Sequence, residues 1–251
     1  MTSDGMAEVM RSLRSAHGDD RAQVGARMLG VEGVAVSVFP QPAASAPEPL
    51  WCFPGLSLRF EELQFTVGEG PGPDAVRAGV PVLEPDLRRV RHDRWPALLP
   101  AAQELGVHGV CCFPLALGGV RLGTLTLLCD GARGLSARQL TDTDMLVAAL
   151  NSVLLTERGP PLPDGTEPAG GDEPLWPVEG LHRAVVHQAA GMVSVQLAST
   201  MEEALVRLRA FAYGSDRPLG DVAEDVVARR MRFGHDEDNG YGPYSPGNGE
   251  G

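Results

Sequence analysis

The chain has 251 residues, with 33 acidic side chains, 21 basic ones that are all Arg, and a formal net charge of −12. That length suits one or two domains with a buried core, and the charge argues against a generic electrostatic binder of nucleic acid or anionic membrane. No run of about 18 apolar residues is present, which argues against a membrane-spanning helix. The start MTSDGMAEVM has neither the basic head nor the apolar core of a signal peptide. Four Cys in a chain of this length form no disulfide framework, so a reducing cytoplasm is the expected compartment.

Charge and helix breakers divide the chain. Residues 1–156 carry a net −4, residues 157–180 −5, residues 181–233 +1 and residues 234–251 −4. The stretch 159–180 holds 5 Gly and 6 Pro, too little apolar surface to offset its ordering entropy, and reads as a linker. The last 18 residues, with 6 Gly and 2 Pro, read as a disordered tail. The expected layout is therefore a domain (1–156), a linker (157–180), a small domain (181–233) and a tail (234–251).

In chain order, apolar residues at 6–13 and 22–29 predict two helices, and VEGVAVSVF at 31–39 predicts a strand. Residues 41–49 read as a loop. Residues 60–67 lead into the Gly/Pro-rich turn 68–73, then a short helix over 73–78 ended by Gly79, and a strand over 80–84. GVCCFPLAL (109–117) and RLGTLTLLC (121–129), joined by Gly118-Gly119, predict a hairpin. Pro114 would place its strand at an edge or a bulge. Ser136 with Gln139 forms a capping-box pattern that opens a helix over 137–156, with Leu140, Val147, Leu150 and Leu154 on one face. The sum is an antiparallel sheet flanked by helices.

The run LQFTVGEGPGPDAV…GVPVLEPDL, followed by GVCCFPLALGGVRLGTLTLL, resembles a GAF domain over roughly residues 6–156, most of all the subgroup found in actinobacterial regulators. The resemblance implies an α+β sensor and dimerisation module, with an unassigned small-molecule ligand and no certain cofactor. Gly72 stands where many relatives carry a Cys, so no redox role is carried over to that position.

Beyond the linker, apolar spacing predicts three helices: 181–197, a second to about Tyr213 ended by Gly214, and a third through Leu219, Val222, Ala223, Val226 and Val227. Either Ser199 with Glu202 or Thr200 with Glu203 can cap the second. The segment 181–233 resembles an ANTAR domain, a three-helix RNA-binding module of transcription antiterminators. The features are Gln188-Ala189-x-Gly191-Met192, then Ala204…Leu208-Arg209…Ala212, then Arg217-x-Leu219-x-Asp221-Val222-Ala223, with Ala190 where many members have Lys.

This resemblance implies RNA contacts by Gln188, Ala189, Gly191, Arg207, Arg209, Tyr213 and Arg217. Each has a plainer reading beside it. The arginines, with Arg229 and Arg230, also suit a solvated helix face beside Glu202, Glu203 and Glu224. Tyr213 and His187 suit base stacking or half-buried packing, and close helix approach accounts for Ala189 and Gly191. Cys111 and Cys112 alternate across a strand and are poorly placed to share a metal. No phosphate-binding loop, nucleophile elbow or metal motif occurs, and the His92-Asp93 and His108/Glu104 pairs are isolated.

The expectation is therefore a cytoplasmic, non-enzymatic regulator. A GAF input would control ANTAR binding to hairpin loops of nascent transcripts. A homodimer is expected through helices 137–156 and 181–197. The alternatives are a DNA-binding regulator using the three-helix unit, and a redox enzyme on the GAF scaffold using Cys52, Cys111, Cys112 and Cys129.

Overall fold

A computed structural model describes residues 20–39, 47–131, 133–157, 183–234 and 243–244. The expected helix at 6–13 and the linker 159–180 lie outside these residues. Two compact units form, the first containing a five-stranded sheet and the second the C-terminal helices.

In the first unit, helix α1 (Asp20–Leu29) leads to strand β1 (Gly33–Val38), then β2 (Glu48–Phe53), α2 (Gly55–Val67), α3 (Pro71–Ala78), β3 (Val82–Glu84), α4 (Leu98–Glu104), β4 (Gly109–Leu117), β5 (Val120–Cys129) and α5 (Ala137–Glu157). The sheet order is β2-β1-β5-β4-β3, and every pair is antiparallel. All six residues of β1 are buried, because both faces of the sheet are covered. Val34, Val36, Leu125 and Leu127 pack with Ala22, Ala26, Leu146, Leu150 and Leu154 of α1 and α5. Ala35, Ser37, Cys112 and Thr126 fall on the opposite face by strand alternation.

The hairpin and α5 form as the sequence predicts. Ser136 and Gln139 make the capping box, and Gln139 Nε2 donates to the Leu29 carbonyl at 2.8 Å, which ties α5 to the end of α1. Pro114 sits within interior strand β4, yet β3 faces only Val110–Cys112, so Pro114 lies past the end of its neighbour. A register shift follows at Leu115/Ala116. Its missing N–H therefore interrupts no ladder.

Three elements differ from the sequence reading. Part of the expected loop at 41–49 belongs to β2, an edge strand that tolerates Pro49 beside the register shift at Val36/Ser37. Helix α2 has the right spacing on its buried face (Ser57, Phe60, Glu61, Gln64, Phe65), but three of those five are polar, which hides the helix from a hydrophobic pattern. Helix α3 also begins at Pro71, two residues earlier than expected, with Gly79 in the left-handed region at its end.

The second unit is a three-helix bundle: α6 (Ala184–Leu197), α7 (Met201–Gly214) and α8 (Leu219–Val227). Its interior is Val186, Ala189, Ala190, Val193, Ala204, Leu205, Leu208, Ala212, Leu219, Val222, Ala223 and Val226. The tail contributes a two-residue strand, β7 (Pro243–Tyr244), paired with β6 (Arg232–Phe233). No helix among the described residues is long and apolar enough to cross a membrane. Of the two helices expected to dimerise, α5 has its apolar face covered within its own unit, whereas α6 leaves Val195 82% exposed.

Of the two capping registers, the bundle uses Thr200 with Glu203: Thr200 Oγ1 accepts from the Glu203 N–H, and Glu203 accepts from the Thr200 N–H. Thr200→Ala should therefore destabilise the second unit by about 1 kcal/mol. Ser199→Ala should change it by less than about 0.5 kcal/mol. Equal costs for the two variants in denaturant unfolding would contradict this register.

Candidate functional site

On the sheet face opposite α1 and α5, α2 delivers a carboxyl group into the interior. Glu61 is only 5% exposed and collects three donors: Ser37 Oγ at 2.7 Å, Thr126 Oγ1 at 2.8 Å and Gln64 Nε2 at 3.1 Å. Gln64 Oε1 in turn accepts the Gly72 N–H at 2.8 Å. A Cβ added to Gly70 would lie 2.6 Å from Gln64 Oε1, and one added to Gly72 would lie 3.1 Å from it. Gly70 and Gly72 thus admit the Gln64 amide, while Glu69 accepts the Ala97 and Leu98 N–H groups at 2.7 and 2.9 Å and caps α4.

The four cysteines are free and buried. Cys112 Sγ lies 3.4 Å from Thr126 Oγ1, and burial, reinforced by nearby Glu61, pushes its thiol up. On the other face the Cys111 and Cys129 sulfurs are 3.9 Å apart, and this contact, with burial, raises the Cys111 thiol while it lowers that of Cys129. Neither Cys111 nor Cys112 is an activated thiolate. Among the described residues, no three His, Cys, Asp or Glu side chains are grouped to hold a metal ion. A gap between α1, β1, β2 and α5, lined by Ala22, Gly25, Val34, Trp51 and Leu150, holds only about 10 Å³, the size of a single water.

The RNA-contact candidates of the second unit fall in several places. Gln188 is exposed on α6, whereas Ala189 is fully buried and packs between the helices, as does Ala190. Close approach explains those alanines but not Gly191, where an added Cβ would meet only the Met201 sulfur at 3.8 Å. Tyr213 projects from α7 with 78% of its surface exposed. Arg207 and Arg209 are half-buried. Desolvation, with Arg183 nearby, pulls the Arg209 guanidinium down to about 10, so it stays charged at neutral pH.

Arg217 donates to Asp225 Oδ2 at 2.6 Å, and Arg230 donates to Oδ1 of the same carboxylate at 2.7 Å. The partner of Arg217 is thus Asp225, rather than any of the glutamates weighed from the sequence. These two arginines, Arg217 first, hold the Asp225 carboxyl below its usual range.

Two open grooves of about 560 Å³ flank the bundle. One, lined by Leu197, Glu202, Glu203, Val206 and Arg207, carries two carboxylates. The other brings Gln188 and Gly191 together with Met192, Val195, Arg229 and Arg232. The candidates therefore do not converge on one patch, and Arg232, which residue spacing alone did not single out, faces the same groove as Gln188.

Residues 181–227 match the ANTAR domain family. An antiparallel sheet flanked by helices precedes a three-helix bundle in the ANTAR region. Among solved structures, the chain is similar to the GAF domain of a phosphoenolpyruvate-protein phosphotransferase from Coxiella burnetii, at 15% identity and a TM-score of 0.46, covering 63% of this chain and 97% of that one. It is likewise similar to the GAF domain of the Acinetobacter phosphoenolpyruvate-protein phosphotransferase, at 13% identity and a TM-score of 0.47, covering 61% and 92%. No curated protein matches.

Glu61→Ala leaves the Ser37 and Thr126 hydroxyls without their acceptor and should destabilise the first unit by about 2–4 kcal/mol. Glu61→Gln, which keeps an acceptor, should cost less; equal losses in denaturant unfolding would show that the three bonds contribute nothing. Because the folded Asp225 is the stronger acid, its ion pairs stabilise the second unit above the ordinary carboxylate range and are lost as pH falls through the lowered value. Asp225→Asn should therefore flatten the acid limb of that unit's unfolding midpoint, and an unchanged limb would sink this assignment.

Proposed function

We propose that the chain is a signal-responsive RNA-binding regulator of transcription. The first unit is the input, and the second binds hairpin loops of nascent transcripts and prevents formation of a terminator. The ANTAR match over residues 181–227 carries this reading, since that family is one of RNA-binding antitermination modules. Gln188, Gly191, Arg207, Arg209, Tyr213 and Arg217 are proposed as its contacts, with Ala189 placing them from within the bundle. A shift between states of different RNA affinity would transmit the signal. The input is a ligand or partner bound by the first unit, which acts as a sensor and not as a catalyst; the burial of all four thiols supports this.

The deciding experiment is recovery and sequencing of RNA bound to the chain in its host cells, followed by competition between a recovered hairpin RNA and duplex DNA of the same sequence. Preference for the duplex would overturn the reading in favour of a DNA-binding regulator. Base stacking on a protein aromatic contributes about 1–3 kcal/mol. Tyr213→Ala should weaken RNA binding by about that amount and leave thermal unfolding unchanged, because the ring is largely exposed. RNA affinity equal to the parent's would remove Tyr213 from the interface.

A further inference from the structure

The family match ends at residue 227, yet the chain continues as Ala228-Arg229-Arg230-Met231-Arg232-Phe233 and turns back over α6. The turn is built. Arg229 adopts the left-handed conformation (φ 59°), and the Arg230 and Met231 N–H groups both donate to the Asp225 carbonyl, at 2.8 and 3.1 Å. The Phe233 N–H donates to Gln196 Oε1 of α6 at 2.8 Å, and the Phe233 ring meets Phe211 edge-on, with 6.0 Å between centroids. Met231 and Phe233 are buried, so strand alternation turns Arg232 between them outward.

Arg229 and Arg232 thereby stand over the exposed face of α6, which bears no Asp, Glu or Arg from Ala184 to Leu197. Their groove, floored by Gln188, Gly191, Met192 and Val195, contains no carboxylate. The groove of similar size on α7 sets Glu202 and Glu203 beside Arg207, so its positive charge is opposed there. Guanidinium groups over a neutral, partly apolar floor suit a sugar–phosphate backbone, with charge-assisted hydrogen bonds to phosphate and a polar side chain beneath.

We propose that the return after α8 completes an RNA-binding groove in which Arg229 and Arg232 hold phosphates of the bound RNA. The proposal rests on the RNA-binding reading above and adds to it a surface outside the matched domain. Contacts of this kind position the RNA and carry no sequence information, so their loss weakens all bound RNAs together.

The test uses the full chain and an RNA selected for binding to it from a pool of two-hairpin RNAs with randomised loops. The double variant Arg229→Asn/Arg232→Gln keeps a residue that tolerates the left-handed conformation. It should bind about 10–100-fold more weakly, with the log–log salt slope shallower by about 1.4, two phosphates at about 0.7 each. Arg232→Gln alone, which leaves Met231 and Phe233 in place, should flatten the slope by about 0.7, and Arg232→Lys should restore most of the affinity. Arg138→Gln, the same charge change in the first unit, should leave affinity and slope unchanged.

Parental affinity and slope in both variants, with circular dichroism showing them folded, would overturn the groove and leave RNA binding standing. An equal loss in Arg138→Gln would assign the effect to net charge and also overturn it. Failure of the parent to enrich any RNA would overturn the functional reading, and the groove with it.

Discussion

Asp225 is the residue on which the exposed end of the helical bundle depends. Its carboxylate holds Arg217 from the α7–α8 turn and Arg230 from beyond α8, while its carbonyl receives two N–H groups of the returning chain. One residue thus satisfies the end of a helix, fixes the turn before that helix and sets the direction of the chain after it. A bundle of about fifty residues has little apolar interior with which to enforce such geometry. The same pairing engages Arg217 and Arg230, while Arg229 and Arg232 reach outward over α6.

A buried polar group organises the first unit in a comparable way. Glu61 joins α2 to β1 and β5 through Ser37 and Thr126, and Gln64 extends the chain of bonds to the turn that starts α3. An apolar face would hold α2 on the sheet without fixing its register, whereas a carboxyl needing several donors is satisfied in few positions. The cost is sensitivity: any change that separates α2 from the sheet strands these groups in a low-dielectric interior. The input role proposed for this unit, which requires two distinguishable states, has use for such a contact.

How much of this was legible in the sequence depends on whether apolar periodicity and burial coincide. They coincide in β4, β5, α5 and the three helices of the bundle, where caps at Ser136 and Thr200 also mark the starts. They part in α2, whose buried stripe contains Ser57, Glu61 and Gln64, and in β2, whose Pro49 is harmless only because the strand lies at an edge. At the candidate interface, residue types were legible but pairings were not. The arginines as a group suit glutamate partners in the sequence, yet the turn before α8 brings Arg217 to Asp225. Arg232 was readable only from the alternation Met231-Arg232-Phe233 after a helix, a signal too short to weigh without the fold.

The net charge of −12 then takes on a different meaning. Taken over the whole chain it argues against nucleic acid, but electrostatic attraction acts within about a Debye length, roughly 8–10 Å at ordinary salt. What matters to a phosphate is the charge lining its own groove. Along α6 that lining has two arginines and no carboxylate, although the bundle segment as a whole is only +1. Acids lining other parts of the surface weaken non-specific attachment there, while the proposed pair would keep its contacts. A protein built this way would bind few RNAs and be steered to none, which suits a regulator that must choose among transcripts.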